Sequence, residues 1–172
     1  MKIFCSRHNG KNGSAAAYSL LAYALRAAYG MELPEIKKTS NGKPYFPERP
    51  EIHFSLSHAK THVLCAISGA PVGADVESPR QISGRAIKYF CSAEELYLFD
   101  ALDLWVLKES YIKLVGGTLP MVKNLRFSRE GDKIVAPGIN AASRLYSVDG
   151  CRAAVSSFQT FPPDQIIAVE NP

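Results

Sequence analysis

Cysteine is sparse and scattered in this chain of 172 residues: Cys5, Cys65, Cys91 and Cys151 form no C-x-x-C pair. That spacing argues against a zinc site and against a disulfide framework. Three of the four sit among apolar neighbours, where a free thiol behaves as a small buried hydrophobe. No apolar run approaches the length that crosses a bilayer, and Met1–Gly10 lacks the apolar core of a signal peptide. The expected location is therefore a reducing cytoplasm, with no membrane partner. Lysine and arginine form no block and the net charge is only +4, so no nucleic-acid partner is expected. A G-x-x-x-x-G-K-[ST] loop and a kinase-type glycine loop are both missing, which argues against the common nucleotide-phosphate folds.

What remains is ordinary globular material, 47% apolar and 21% charged, enough for one domain or two small halves sharing a core. The pattern predicts a strand over Lys2–Ser6 and a polar glycine-rich loop over Arg7–Gly13. A helix follows over Ala15–Tyr29, capped by Ser14 and stopped at Gly30. Asn41-Gly42 marks a turn, and three prolines keep residues 44–50 irregular. Ile52–Ser57, His62–Ser68 and Val72–Glu77 read as strands and Ser83–Phe90 as helical. Ser92 with Glu95 resembles a capping box, and a long helix spans about Asp100 to Val115. Strands are predicted at Asn124–Ser128, Lys133–Ala136, Arg144–Val148, Arg152–Phe158 and Ile166–Val169, with a hairpin turn at Asp149-Gly150. This order predicts an α+β fold, although no repeat is visible in the residues.

Chemistry concentrates in two segments. In Val72–Glu77, Asp75 and Glu77 lie two positions apart in a β-prone stretch, so both point to one face of the strand. Either this is an edge with two solvated carboxylates, or a cation lies between charges that would otherwise repel. Magnesium suits such oxygen donors. In the helix, Trp105, Glu109 and Lys113 recur every four residues and share one face. Glu109 and Lys113 could simply pair in solvent, but Trp105 on the same stripe argues that the stripe faces protein. A buried Glu and Lys there need partners, which a metal and a phosphate would provide. Ser55-Leu56-Ser57-His58 ends a strand with groups able to donate to phosphate oxygens, and Gly42-Lys43-Pro44 offers a lysine on a set backbone. His53 and His62 read as structural.

In order, Gly42-Lys43-Pro44, Ser55–His58, Gly73–Glu77 and Trp105–Lys113 resemble the hallmarks of the 4′-phosphopantetheinyl transferases of the surfactin-synthetase-activating type. These hallmarks are a G-K-P element, an S-x-S-H strand end, a G-x-D-x-E strand and a W-x-x-K-E-x-x-x-K helix. The resemblance implies two similar α+β halves, about 1–70 and 71–172, related by a pseudo-twofold with the active site in the cleft between them. It also implies transfer of the 4′-phosphopantetheine arm of coenzyme A to a serine of an apo carrier protein (acyl, peptidyl or aminoacyl), releasing adenosine 3′,5′-bisphosphate. Carried over by motif, Asp75, Glu77 and Glu109 would ligate Mg²⁺, for which Mn²⁺ could substitute. Lys113 would contact the phosphate, Lys108 the coenzyme, and Lys43, Ser57 and His58 its phosphates. Glu109, directly or through a water, is the expected base.

The chain is shorter than typical members, mainly in its first half, which leaves Lys11, beside Arg7, as the expected basic contact from that half. Arg80, Arg85 and Lys88 follow the acidic strand and are candidate contacts for an acidic carrier helix, or an ordinary basic face. A monomer is expected, because two fused halves would already form the cleft. The competing expectation is a degenerate module that binds coenzyme A or a carrier without catalysis. Retention of all three carboxylates and Lys113 argues against it.

Overall fold

Alternating apolar residues and well-placed stop signals build two main sheets, each covered on its outer face by one long helix, beside a two-stranded pair at residues 37–45. The computed structural model describes residues 1–172 except Asp132, Pro137 and Asn171. In chain order the elements are β1 (Lys2–Arg7), α1 (Gly13–Tyr29), β2 (Lys37–Lys38), β3 (Pro44–Tyr45), β4 (His53–His58), β5 (His62–Ser68) and β6 (Val72–Glu77). Then come α2 (Gly84–Phe90), α3 (Ala93–Leu98), α4 (Ala101–Val115), a 3₁₀ turn (Leu119–Lys123), β7 (Ser128–Glu130), β8 (Lys133–Ala136), β9 (Ile139–Val148), β10 (Cys151–Ser157) and β11 (Ile167–Val169). The fold is α+β. Among the described residues no helix is long and apolar enough to cross a membrane.

The first sheet has the strand order β11-β1-β5-β4 and the second β6-β10-β9-β8-β7. Alternate residues of β1 and β5 divide between two cores, as a period of two requires. Phe4, Val63, Cys65 and Ile67 meet Leu20, Leu21, Ala24 and Leu25 of α1. Ile3, Cys5, Leu64 and Ala66 meet Val72, Ala74, Val76, Ala153 and Val155 of the second sheet. The outer face of that sheet packs under Leu104, Leu107, Tyr111 and Leu114 of α4. The chain passes from one sheet to the other at residues 69–71, but the separation is not complete. β11 returns to pair in parallel with β1, so the stretch 71–172 supplies one strand of the first sheet.

Turn chemistry accounts for the element ends. Gly30 and Gly116 take the left-handed conformation that closes α1 and α4. Asp149 and Gly150 both have positive φ, which gives the β9–β10 hairpin a turn matched to strand twist. The capping box at Ser92 and Glu95 is formed. Two local expectations are corrected. The cap of α1 is Asn12, whose Oδ1 accepts from Ala15 N at 3.0 Å, because the helix starts two residues earlier than predicted. Residues 124–127 do not form a strand. Leu119-Pro120 starts the 3₁₀ turn, and Leu125 and Phe127 are buried in the α4 core, so pairing begins only at Ser128.

Gly73 sets how closely α4 approaches β6. A Cβ there would lie 1.9 Å from the Ser110 carbonyl oxygen and 2.3 Å from Leu114 N, both backbone atoms. Neither can move without shifting the helix. Gly73→Ala is expected to lower stability by about 1–3 kcal/mol or more, read from urea denaturation, with transfer activity falling alongside because α4 carries the site residues described next.

Candidate active site

The free edge of β6 is met not by another strand but by hydroxyls of β4. Ser55 Oγ accepts from Ala74 N at 2.9 Å and Ser57 Oγ accepts from Val76 N at 3.2 Å. These bonds satisfy edge donors that would otherwise be orphaned in the interior, and they align β4 with the acidic strand. Ser57 is the hub. It also donates to Asp75 Oδ1 at 2.8 Å and accepts from Lys113 Nζ at 3.0 Å, and Lys113 Nζ donates to the same carboxylate oxygen at 2.7 Å. Asp75 is 5% exposed, and its Oδ2 is buried with no hydrogen-bond partner. A buried carboxylate oxygen without a donor is costly and points to a missing ligand.

Glu77 lies on the same face of β6. Its Oε1 accepts from Trp105 Nε1 at 3.0 Å and from Arg80 at 3.2 Å, and its Oε2 from Arg80 Nε at 3.3 Å. The Trp105 ring is wedged against Phe90 and lies beneath the Arg80 guanidinium. Glu109 is half-buried on α4. Burial, then the charges of Asp75 and Glu77, raise its pKa above the ordinary carboxylate range, while Lys113 acts against them. Asp75 is likewise raised, by burial against the opposing pull of Lys113. Three acids thus influence one another electrostatically at the junction of β4, β6 and α4. No three ligating side chains among the described residues gather round one point. The donor chemistry and the orphaned Asp75 Oδ2 nevertheless fit a divalent cation.

Basic groups flank the acids. Lys43 Nζ donates to Leu114 O at 2.6 Å, at the end of α4 where a cation is favoured. Burial lowers its pKa to about 8. Lys43 is therefore expected to react with an N-hydroxysuccinimide ester ahead of the exposed lysines, at a rate rising through about pH 8, as peptide mapping would show. Two clefts of about 210 Å³ each open on either side of the Gly42–Pro44 turn, one bordered by Lys43, Ser55 and Lys113, the other by Ser14, Lys38 and His58. His58 is exposed, with Gly13 at the start of α1 so close that a Cβ there would lie 2.8 Å from its Nδ1. Lys11 is exposed in the loop before that helix.

Two expectations change. Lys108 does not face a cleft. It is fully buried, its ammonium 3.0 Å from Glu95 and donating to the carbonyls of Leu125 (2.7 Å) and Phe90. Helical geometry turns it away from Glu109, its neighbour in sequence, towards α3 and the 3₁₀ turn. Ser57 has its hydroxyl taken up by Asp75, Val76 and Lys113, so it orients the acid and the lysine. Arg80 and the Trp105 indole were not expected as partners of Glu77. The spacing of Arg80 three residues after Glu77 was the available signal.

A cavity of about 800 Å³ lies elsewhere, bordered by β1, β9 and β11. Two of its carboxylates are already matched: Asp149 by Arg7 at 2.9 Å and His62 at 3.1 Å, and Asp164 by Arg144, while Glu170 at its border is exposed. It is not lined by Asp75, Glu77 or Glu109, so the β4–β6–α4 junction is the stronger candidate.

No protein-family model matches the chain. The chain is 30% identical over 165 residues to the 4′-phosphopantetheinyl transferase Sfp of Bacillus subtilis (strain 168), covering 84% of this chain and 74% of that protein. It is 32% identical over 112 residues to the 4′-phosphopantetheinyl transferase psf-1 of Bacillus pumilus. It is 34% identical over 90 residues to the 4′-phosphopantetheinyl transferase gsp of Aneurinibacillus migulanus. The last two matches cover 56% and 46% of this chain, and only 47% and 37% of those relatives.

Proposed function

The chain belongs to the 4′-phosphopantetheinyl transferases of the Sfp type, and on that premise we propose that it moves the 4′-phosphopantetheine arm of coenzyme A to a serine hydroxyl of an apo carrier protein. Adenosine 3′,5′-bisphosphate leaves. The observation that carries this reading is the junction of Asp75, Glu77 and Glu109 with Lys113, flanked by Lys43 and His58. Acids and bases side by side suit a dianionic pyrophosphate bound together with a counter-cation.

In this reading Asp75, Glu77 and Glu109 would hold Mg²⁺, which when bound supplies charge neutralisation at the pyrophosphate. Lys113 stabilises charge on the transferred phosphoryl group, a preorganised donor in a half-buried site. Lys43 and His58 hold the remaining phosphate oxygens, with Lys11 of the loop before α1 as a further basic contact. Ser57 bonds both Asp75 and Lys113 and keeps the lysine at the site. Glu109, with its raised pKa, takes the proton of the attacking serine, since a base works best when its pKa approaches the working pH. Chromatographic detection of adenosine 3′,5′-bisphosphate tests the reaction: release should require both the metal and an apo carrier. Release of inorganic phosphate instead would point to a hydrolase.

A further inference from the structure

Each of the two acids on β6 is paired with a cation of the chain itself. Lys113 Nζ sits 2.7 Å from Asp75, and Arg80 grips both oxygens of Glu77 at 3.2 and 3.3 Å with help from the Trp105 indole. No three ligating side chains gather at one point among the described residues. Yet Asp75 Oδ2 stays buried and unpartnered, so the pairing leaves one lone-pair site unmet. A resident ammonium answers the charge but not the coordination.

We propose that Lys113 and Arg80 hold the acidic trio latent, and that the coenzyme pyrophosphate unlocks it by drawing the Lys113 ammonium off Asp75, so that metal and coenzyme load together. The inference rests on the proposed transferase reading and adds an order of events to it. An ammonium within contact of a carboxylate competes directly with an incoming divalent cation. A dianionic pyrophosphate offers that ammonium an alternative partner of higher total charge. Linkage makes the coupling reciprocal: if coenzyme tightens metal binding, metal tightens coenzyme binding by the same factor. Lys113 thus moves between two anions, one in the protein and one in the ligand, and its Ser57 bond keeps it within reach of both.

The test is Mn²⁺ binding followed by the electron paramagnetic resonance signal of the free ion, without turnover. The full chain is measured alone and with coenzyme A, then as Lys113→Met and Arg80→Gln without coenzyme, each checked for folding by circular dichroism. Wild type is expected to bind Mn²⁺ weakly alone and about tenfold or more tightly with coenzyme A. Both variants are expected to bind Mn²⁺ more tightly than wild type in the absence of coenzyme, and Asp75→Asn to lose the coenzyme-dependent gain. Arg80 is at the surface, so its variant reports even where removal of Lys113 disturbs the fold. Equal Mn²⁺ affinity in wild type with and without coenzyme, or no gain in either variant, overturns the latent arrangement and leaves the transferase reading intact. No Mn²⁺ binding in any arm removes the metal site itself, and with it the metal part of that reading.

Discussion

Glu109→Gln is expected to lower carrier modification by about two to four orders of magnitude, the usual range for a positioned proton acceptor. Thermal stability should be unchanged or slightly raised. The two effects separate because Glu109 sits in partial burial beside Asp75 and Glu77, whose charges disfavour its ionised form. The neutral amide keeps the shape and relieves that repulsion, but it can neither accept a proton nor donate a charge to a cation. Steady-state transfer assays and a melting curve on the same preparation check both halves. A pH profile adds a sign. With the folded pKa raised, wild-type activity should climb as pH rises through a value above the ordinary carboxylate range. The residual activity of the variant should lack that limb.

Lys108→Ala is expected to cost about 3–5 kcal/mol of stability, the range for breaking a buried pair by removing one partner. The lysine is fully buried and Glu95 is 2% exposed. Glu95 also accepts from Ser92 N at 2.9 Å and Phe127 N at 3.0 Å. The pair therefore ties α3, α4 and the turn at 119–127 together. Without the ammonium, Glu95 keeps its two backbone donors but only a distant cation, Arg126 at 3.9 Å, and the Phe90 carbonyl loses the Lys108 bond while Leu125 O keeps Arg126. Urea denaturation measures the loss. Adding Glu95→Gln to Lys108→Met should recover part of it, because the stranded charge is then gone. Below its melting temperature the Lys108 variant should bind coenzyme A as the wild type does. A residue in contact with the coenzyme would behave otherwise.

Local signals made much of the frame readable. Alternation delimits Val72–Glu77 and a continuous apolar run delimits His62–Ser68, each to the residue, and Gly116 and Ser92 with Glu95 mark helix ends through their own backbone chemistry. The acidic strand and the Trp105–Lys113 stripe were legible because period two and period four each place a few residues on one face. Long-range partners were not. The bonds of Ser57 reach Asp75, 18 positions away, and Lys113, 56 positions away, and no local pattern encodes such a hub. Lys108 reads as a solvated helix residue until its place is noted: four after Leu104 and three before Tyr111, inside the apolar stripe. Residues 124–128 look strand-like by composition, yet burial of Leu125 and Phe127 under α4 overrides that preference. Return of β11 to the first sheet is a crossover that no short window could show.

The most direct measurement is the intact mass of apo carrier proteins after incubation with this chain, coenzyme A and Mg²⁺. The predicted result is a gain of one phosphopantetheine on at least one carrier, absent without metal and strongly reduced with Glu109→Gln. No gain on acyl, peptidyl or aminoacyl carriers, with coenzyme A binding still measurable, would contradict it.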